Sequence, residues 1–130
     1  WEQIFARTDR DINLQRVMNV MKYGADTGSY DWIPDRAVGP TEDRLYEQEA
    51  AYNDAELERV TGESIADLGT AEKRYLLMEN RKKELRRLID VYYAERGWTS
   101  NGIPRVATLK ELGLWEFLGE ATRTRLHELQ

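Results

Sequence analysis

DVYYAERGWTSNGIPRVATLKELGL, running from Asp90 to Leu114, decides how the fold is read, because a helix end, a stop, a turn and a second helix follow one another within it. Leading into it, Leu85, Leu88, Ile89 and Tyr92 recur at the three-and-four spacing that places side chains on one face of a helix. Gly97 follows the last periodic position and suits the left-handed conformation that closes a helix, while Arg96 brings positive charge to the negative end of the helix dipole. Trp98 is placed to pack back on the last turn. Asn101-Gly102 accepts positive φ cheaply, and Pro104 fixes its own φ and pushes Ile103 towards extended backbone, so the chain turns here. Thr108 with Glu111 three residues on spells a capping box, and Gly113 ends the short helix that it opens.

Working outward, Thr70 is the expected cap of the longest helix, from Ala71 to about Glu95. Tyr75, Leu76, Met78, Leu85, Leu88, Ile89 and Tyr92 supply its buried side. Thr61 to Gly69 reads as a polar connection with one short turn at Ser64 to Leu68. Before it, Thr41 caps a helix that carries Glu42 and Asp43 at its positive end, runs through Leu45, Tyr46 and Tyr52, breaks near Asn53-Asp54 and stops ahead of Gly62. Gly24, Gly28, Pro34, Gly39 and Pro40 break regular structure, which predicts a loop from Tyr23 to Pro40 laid over the core and pinned by Trp32 and Ile33. Ile4, Phe5, Ile12, Val17, Met18 and Met21 predict one or two helical turns and then a longer helix capped at Asp9 or Asp11. Trp115 to Leu129 predicts a terminal helix with Phe117, Leu118, Leu126 and Leu129 apolar. No stretch alternates as a strand does. The expected fold class is all-α, a small irregular helical bundle in which residues 1–130 form one domain.

Two segments together resemble the aldehyde ferredoxin oxidoreductase family. Tyr92-Tyr93, Arg96-Gly97-Trp98, Asn101-Gly102-Ile103-Pro104 and Leu112-Gly113-Leu114 follow the order and spacing of that family's C-terminal end. Arg10, Ile12-Asn13-Leu14, Arg16 and Asn19 look like the helix that precedes a Gly and an Asp-x-x-Pro-x-Arg segment in the family, here Asp31, Pro34 and Arg36. Met21-Lys22-Tyr23 stands where the family has Arg-Glu, and Thr41 to Arg87 is longer than usual. The resemblance implies a parent enzyme carrying a tungsten bis-pterin and one 4Fe-4S cluster, which oxidises aldehydes to acids and passes electrons to ferredoxin. It implies that catalysis lies in upstream domains of the same chain and that this piece holds no cofactor.

Composition is consistent with that expectation. With 130 residues, 41% apolar and 33% charged, the chain suits one soluble core. It begins at Trp1 and reads as a piece of a longer cytoplasmic protein; no apolar run or leader suggests a membrane. Zero cysteines rule out disulfides and thiolate ligands for zinc or an iron–sulfur cluster from these residues. A net charge of −5 weighs against nucleic acid.

No catalytic, cofactor-binding or metal-ligating residue is expected within the 130 residues. His127 is the only histidine and reads as a solvent-facing side chain. Glu47, Glu49, Asp54, Glu56 and Glu58 read as helix surface rather than an acid–base pair, and Ser64 lacks the context of a nucleophile. The basic run Arg81-Lys82-Lys83 with Arg86-Arg87 reads as a solvated face interleaved with Glu79 and Glu84, or as a docking patch for acidic ferredoxin. Asn13, Arg16, Asp31 and Arg36 either fasten the Tyr23 to Pro40 loop to the first helix or face a pterin-bearing domain. The four Trp and seven Tyr read as core and interface anchors, with an apolar patch left bare for a partner domain. A different class of reading makes the chain a free-standing helical interaction module.

Overall fold

A computed structural model describes residues 2–130, and Trp1 lies outside the described residues. They form an all-α fold of seven α-helices: α1 (Glu2–Tyr23), α2 (Asp35–Val38), α3 (Asp43–Gln48), α4 (Ala50–Thr61), α5 (Thr70–Glu95), α6 (Val106–Glu111) and α7 (Glu120–Glu128). Two 3-10 segments, Gly24–Asp31 and Trp115–Phe117, complete the path. The contacts form two compact units, Trp1–Trp32 with Ile89–Gln130, and Ile33–Leu88.

In the first unit, Val17 and Val20 of α1 bury against Ile103, Leu109, Leu114, Trp115 and Leu126. Each aliphatic side chain so enclosed contributes about 1.5–3 kcal/mol. Residues 13, 16, 17 and 20 follow the helical period, and all four are buried. α1 is continuous through Asp9 and Asp11, so neither caps a helix. Asp9 instead ion-pairs with Arg96, while its carbonyl accepts a hydrogen bond from Asn13 Nδ2 at 3.0 Å.

The end of α5 closes as the sequence predicts. Gly97 has φ +68, its N–H donates to Ala94 O at 3.0 Å, and the Trp98 N–H donates to Tyr93 O at 2.8 Å. That pair of bonds is the Schellman stop, and Trp98 packs on Tyr93 with ring centroids 5.7 Å apart. Gly113 repeats the device after α6, with φ +65 and the Leu114 N–H donating to Leu109 O at 2.8 Å. The turn between is equally tight: the Gly102 N–H donates to Thr99 O, the Thr99 N–H to Ile103 O, each at 2.8 Å, and Trp98 bridges Pro104.

The capping box does not form. Helix α6 starts earlier, at Val106 with Arg105 as its cap, which leaves Thr108 inside the helix. Its hydroxyl donates to Gly97 O at 2.9 Å, tying α6 to the preceding stop rather than capping its own helix.

In the second unit, Tyr46, Leu57, Ile65 and Leu77 make the buried cluster. Helix α4 stops at Gly62 as expected, with that glycine in the left-handed conformation at φ +71. The expected break at Asn53-Asp54 falls instead at Glu49, because the buried Asn53 side chain donates to Tyr46 O at 3.0 Å and satisfies a carbonyl at the end of α3. Thr41 is not a cap; Glu42 holds that position. The Tyr23 to Pro40 loop is more ordered than expected, since it holds the Gly24–Asp31 segment and α2. Trp32 is half-buried and Ile33 exposed.

The 26-residue α5 spans about 39 Å. Its fully enclosed side chains are Leu77, Met78 and Tyr93, while Leu85 and Ile89 are half-buried and Tyr75, Leu88 and Tyr92 are exposed, contrary to the expected buried face. Met18, Tyr52 and Phe117 are also bare, so large apolar side chains remain uncovered in both units. The last stretch is not one helix: Trp115–Phe117 and α7 are separate, with Gly119 as the α7 cap.

Candidate functional site

The polar residues of the two family-like segments meet in the first unit. Arg16, buried to 6% exposure, projects from α1 and its Nε donates to Gly102 O at 2.6 Å. Its Nη1 and Nη2 form a two-pronged ion pair with Asp31 at 2.9 and 2.5 Å, and Nη2 also reaches the Tyr93 hydroxyl at 3.4 Å. Tyr93 in turn donates to Asp31. The guanidinium lies over the Trp98 ring, 4.6 Å from its centroid, and Trp98 Nε1 donates to Asn13 Oδ1 at 2.8 Å. Helix α1, the Gly24–Asp31 segment, the end of α5 and the Asn101-Gly102 turn therefore share one buried network, whose charge-assisted bonds are stronger and more directional than neutral ones.

This geometry agrees with the fastening reading for Arg16 and Asp31, while Asn13 holds the Trp98 indole rather than the loop. Arg36 is different: it is exposed on α2 and makes no ion pair with another described residue. The polar part played by Tyr93 and Trp98 was not read from sequence, where they appear in the family-like segment and as aromatic neighbours of a helix stop. The Gly-Trp step was the available signal, since it places the indole just beyond the left-handed residue.

The electrostatics suit a lock rather than a proton shuttle. Burial works to raise the Asp31 carboxyl, but hydrogen bonds from Arg16 and Tyr93 outweigh it and hold the group below the usual carboxylate range. Burial, with the Asp31 hydrogen bond, pushes the Tyr93 hydroxyl up to about 12. A carboxylate held ionised and a phenol held neutral leave no group of this pair poised for acid–base exchange near neutrality. Trp98→Phe isolates one strand of the network. It is expected to cost about 1–2 kcal/mol in urea unfolding, because the buried Asn13 oxygen loses its donor; an unchanged midpoint would show that water replaces the indole.

In the second unit, the basic run is only partly solvated. Arg81 makes a two-pronged pair with Glu56 at 3.0 and 2.6 Å and reaches Val38 O and Asn53 Oδ1, each at 3.4 Å. Hydrogen bonds from Arg81, against the cost of burial, hold the Glu56 carboxyl below its usual range. Lys82 pairs with Asp35 and Arg87 with Glu84, both at 2.9 Å. Glu56 and Asp54 are therefore not bare helix surface; Asp54 accepts from Tyr46 at 2.7 Å and pairs with Lys73 at 3.1 Å. His127 is exposed, edge-on to Trp115 at 5.3 Å.

Among the described residues no three His, Asp or Glu side chains converge as metal ligands, and the sequence holds no cysteine. The cysteine thiolates that ordinarily hold an iron–sulfur cluster are absent from these residues. Nor do the described residues form a helix long and apolar enough to cross a membrane.

Fold and site thus define an all-α chain whose first unit is built around a buried arginine. The chain belongs to the aldehyde ferredoxin oxidoreductase family: residues 1–114 match the family model described as aldehyde ferredoxin oxidoreductase, domains 2 & 3. Comparisons with curated proteins and with solved structures give no match.

Proposed function

We propose that this chain is helical scaffolding in a tungsten-dependent oxidoreductase of the cytoplasm that oxidises aldehydes to acids and delivers the electrons to ferredoxin. Residues 1–130 serve as its C-terminal helical region, and the residues that hold the pterin and the 4Fe-4S cluster belong to upstream domains of the same polypeptide. The observation that carries this reading is the family match over residues 1–114, which is to domains 2 and 3 of that family. The convergence of both family-like segments on Arg16 supports it, as do exposed apolar side chains such as Met18, Tyr52 and Phe117, the kind of surface that a neighbouring domain covers.

In that role Arg16 and its partners hold the Asn101-Gly102 turn and the Gly24–Asp31 segment in fixed register, so the unit meets its neighbour with a defined surface. The polypeptide encoded by the complete reading frame should bind tungsten and iron and reduce ferredoxin or a viologen dye only when an aldehyde is supplied. The 130-residue chain alone should retain neither metal after desalting. A complete polypeptide that is free of tungsten, or that is loaded yet inert towards a panel of aliphatic and aromatic aldehydes, would refute the assignment.

A further inference from the structure

The second unit contains a depression of about 260 Å³ that the family assignment does not use. Its apolar lining comes from Ile33, Val38, Val60, Leu85 and Leu88. Two of these, Ile33 at 39% and Leu88 at 55% exposure, are among the large apolar side chains left bare, and both line this depression. The volume holds eight or nine groups of roughly 30 Å³ each, the size of a water or a methylene. That matches a medium aliphatic chain or one aromatic ring with a short tail.

Four charged side chains border it, Glu56, Arg59, Arg81 and Glu84, and all but Arg59 are held in ion pairs. Glu56 is matched by Arg81 at 2.6 Å and Glu84 by Arg87 at 2.9 Å, both as ion pairs. Arg59 also lines the depression, is exposed, and forms no ion pair with another described residue. Its charge bears on Glu56 only as a minor influence behind that of Arg81. One positive charge is therefore left over beside an apolar floor, while the polar groups around it already have partners within the fold. A neutral apolar ligand leaves that charge unused; a dianion exceeds it.

We propose that this depression binds a small amphipathic monoanion, a hydrophobic carboxylate of about eight carbons, with its chain on Leu85 and Leu88 and its carboxylate on Arg59. The inference stands apart from the redox assignment, since it concerns residues 33–88 alone. Pockets of this kind, apolar with a few placed polar groups, are the usual form of small-molecule sites.

The test is a titration of the 130-residue chain, labelled with ¹⁵N, using octanoate and, in parallel, neutral 1-octanol. Octanoate should give saturable amide shifts confined to residues 33–38, 56–60 and 80–88, with a dissociation constant on the order of a millimolar for so small a ligand. Arg59→Gln alters an exposed side chain and should leave the fold intact by circular dichroism. It should weaken octanoate about fivefold or more while leaving 1-octanol unchanged. Leu88→Gln, also at an exposed position, should weaken both ligands. Shifts that do not saturate, shifts centred outside these residues, or equal octanoate affinity for Arg59→Gln and the parent chain would each overturn the proposal.

Discussion

Arg16→Met is expected to lower the unfolding free energy by about 3 kcal/mol, among the largest losses that one substitution here can produce. Methionine keeps much of the aliphatic length but removes every donor. The Gly102 carbonyl, buried with its residue, then has no arginine to accept from, and Asp31 keeps only the Tyr93 hydroxyl. Removing one partner of an enclosed pair costs far more than the pair itself contributes, because the remaining group stays desolvated and unmatched. Asp31 is 31% exposed, so water recovers part of the loss there and the estimate sits at the low end for such pairs. Urea unfolding of Arg16→Met, Asp31→Asn and the double variant measures the coupling; a loss under about 1 kcal/mol for Arg16→Met would mean that the network is decoration. The same pair gives a pH signature. The folded Asp31 carboxyl lies below its unfolded value, so its contribution is complete above about pH 4 and disappears as pH falls through the folded value. Arg16→Met should flatten this acid-side slope.

Gly102→Ala should be comparably damaging, and Gly62→Ala mild, although the two glycines share nearly the same backbone. Gly102 has φ +72 and Gly62 φ +71, so each alanine meets the left-handed penalty of about 1–2 kcal/mol. Only at Gly102 would the new methyl group also overlap the Arg16 guanidinium and approach the Tyr93 ring carbon to 2.8 Å, whereas nothing lies near it at Gly62. Arg16 cannot move aside without releasing Asp31. The expected losses are about 3 kcal/mol or more for Gly102→Ala and about 1 kcal/mol for Gly62→Ala, read from denaturation midpoints at constant slope. Equal losses would show that backbone strain alone sets the cost and that the arginine is free to swing away.

The features legible in the sequence were those set by one residue's own backbone chemistry. Gly97, Gly102 and Gly113 all take positive φ where helix stops and a turn were read, and the helix from Thr70 to Glu95 has the expected span. What escaped was competition for the same polar groups. Thr108 has the spacing of a cap, but Gly97 O lies within its reach and helix α6 begins before it. Asn53 looked like a helix breaker; once buried, it satisfies the Tyr46 carbonyl and lets α4 run on. Arg81 looked solvated because Glu56, 25 residues away, gives no sign in the local pattern. Of the site, Arg16 and Asp31 were legible as an oppositely charged pair on helix and loop, but the aromatic platform beneath the guanidinium depends on contacts 77 and 85 residues apart in the chain.

That separation bears on the order in which the protein acquires its shape during synthesis. Residues 33–88 hold their own enclosed cluster of Tyr46, Leu57, Ile65 and Leu77 and can close as soon as α5 leaves the ribosome. Helix α1 emerges before them but must wait for the last third of these residues, because Val17 and Val20 bury against side chains beginning at Ile103. Throughout that interval the nascent chain displays the oily stripe of Val17 and Val20, which makes α1 the segment most in need of a chaperone's shelter.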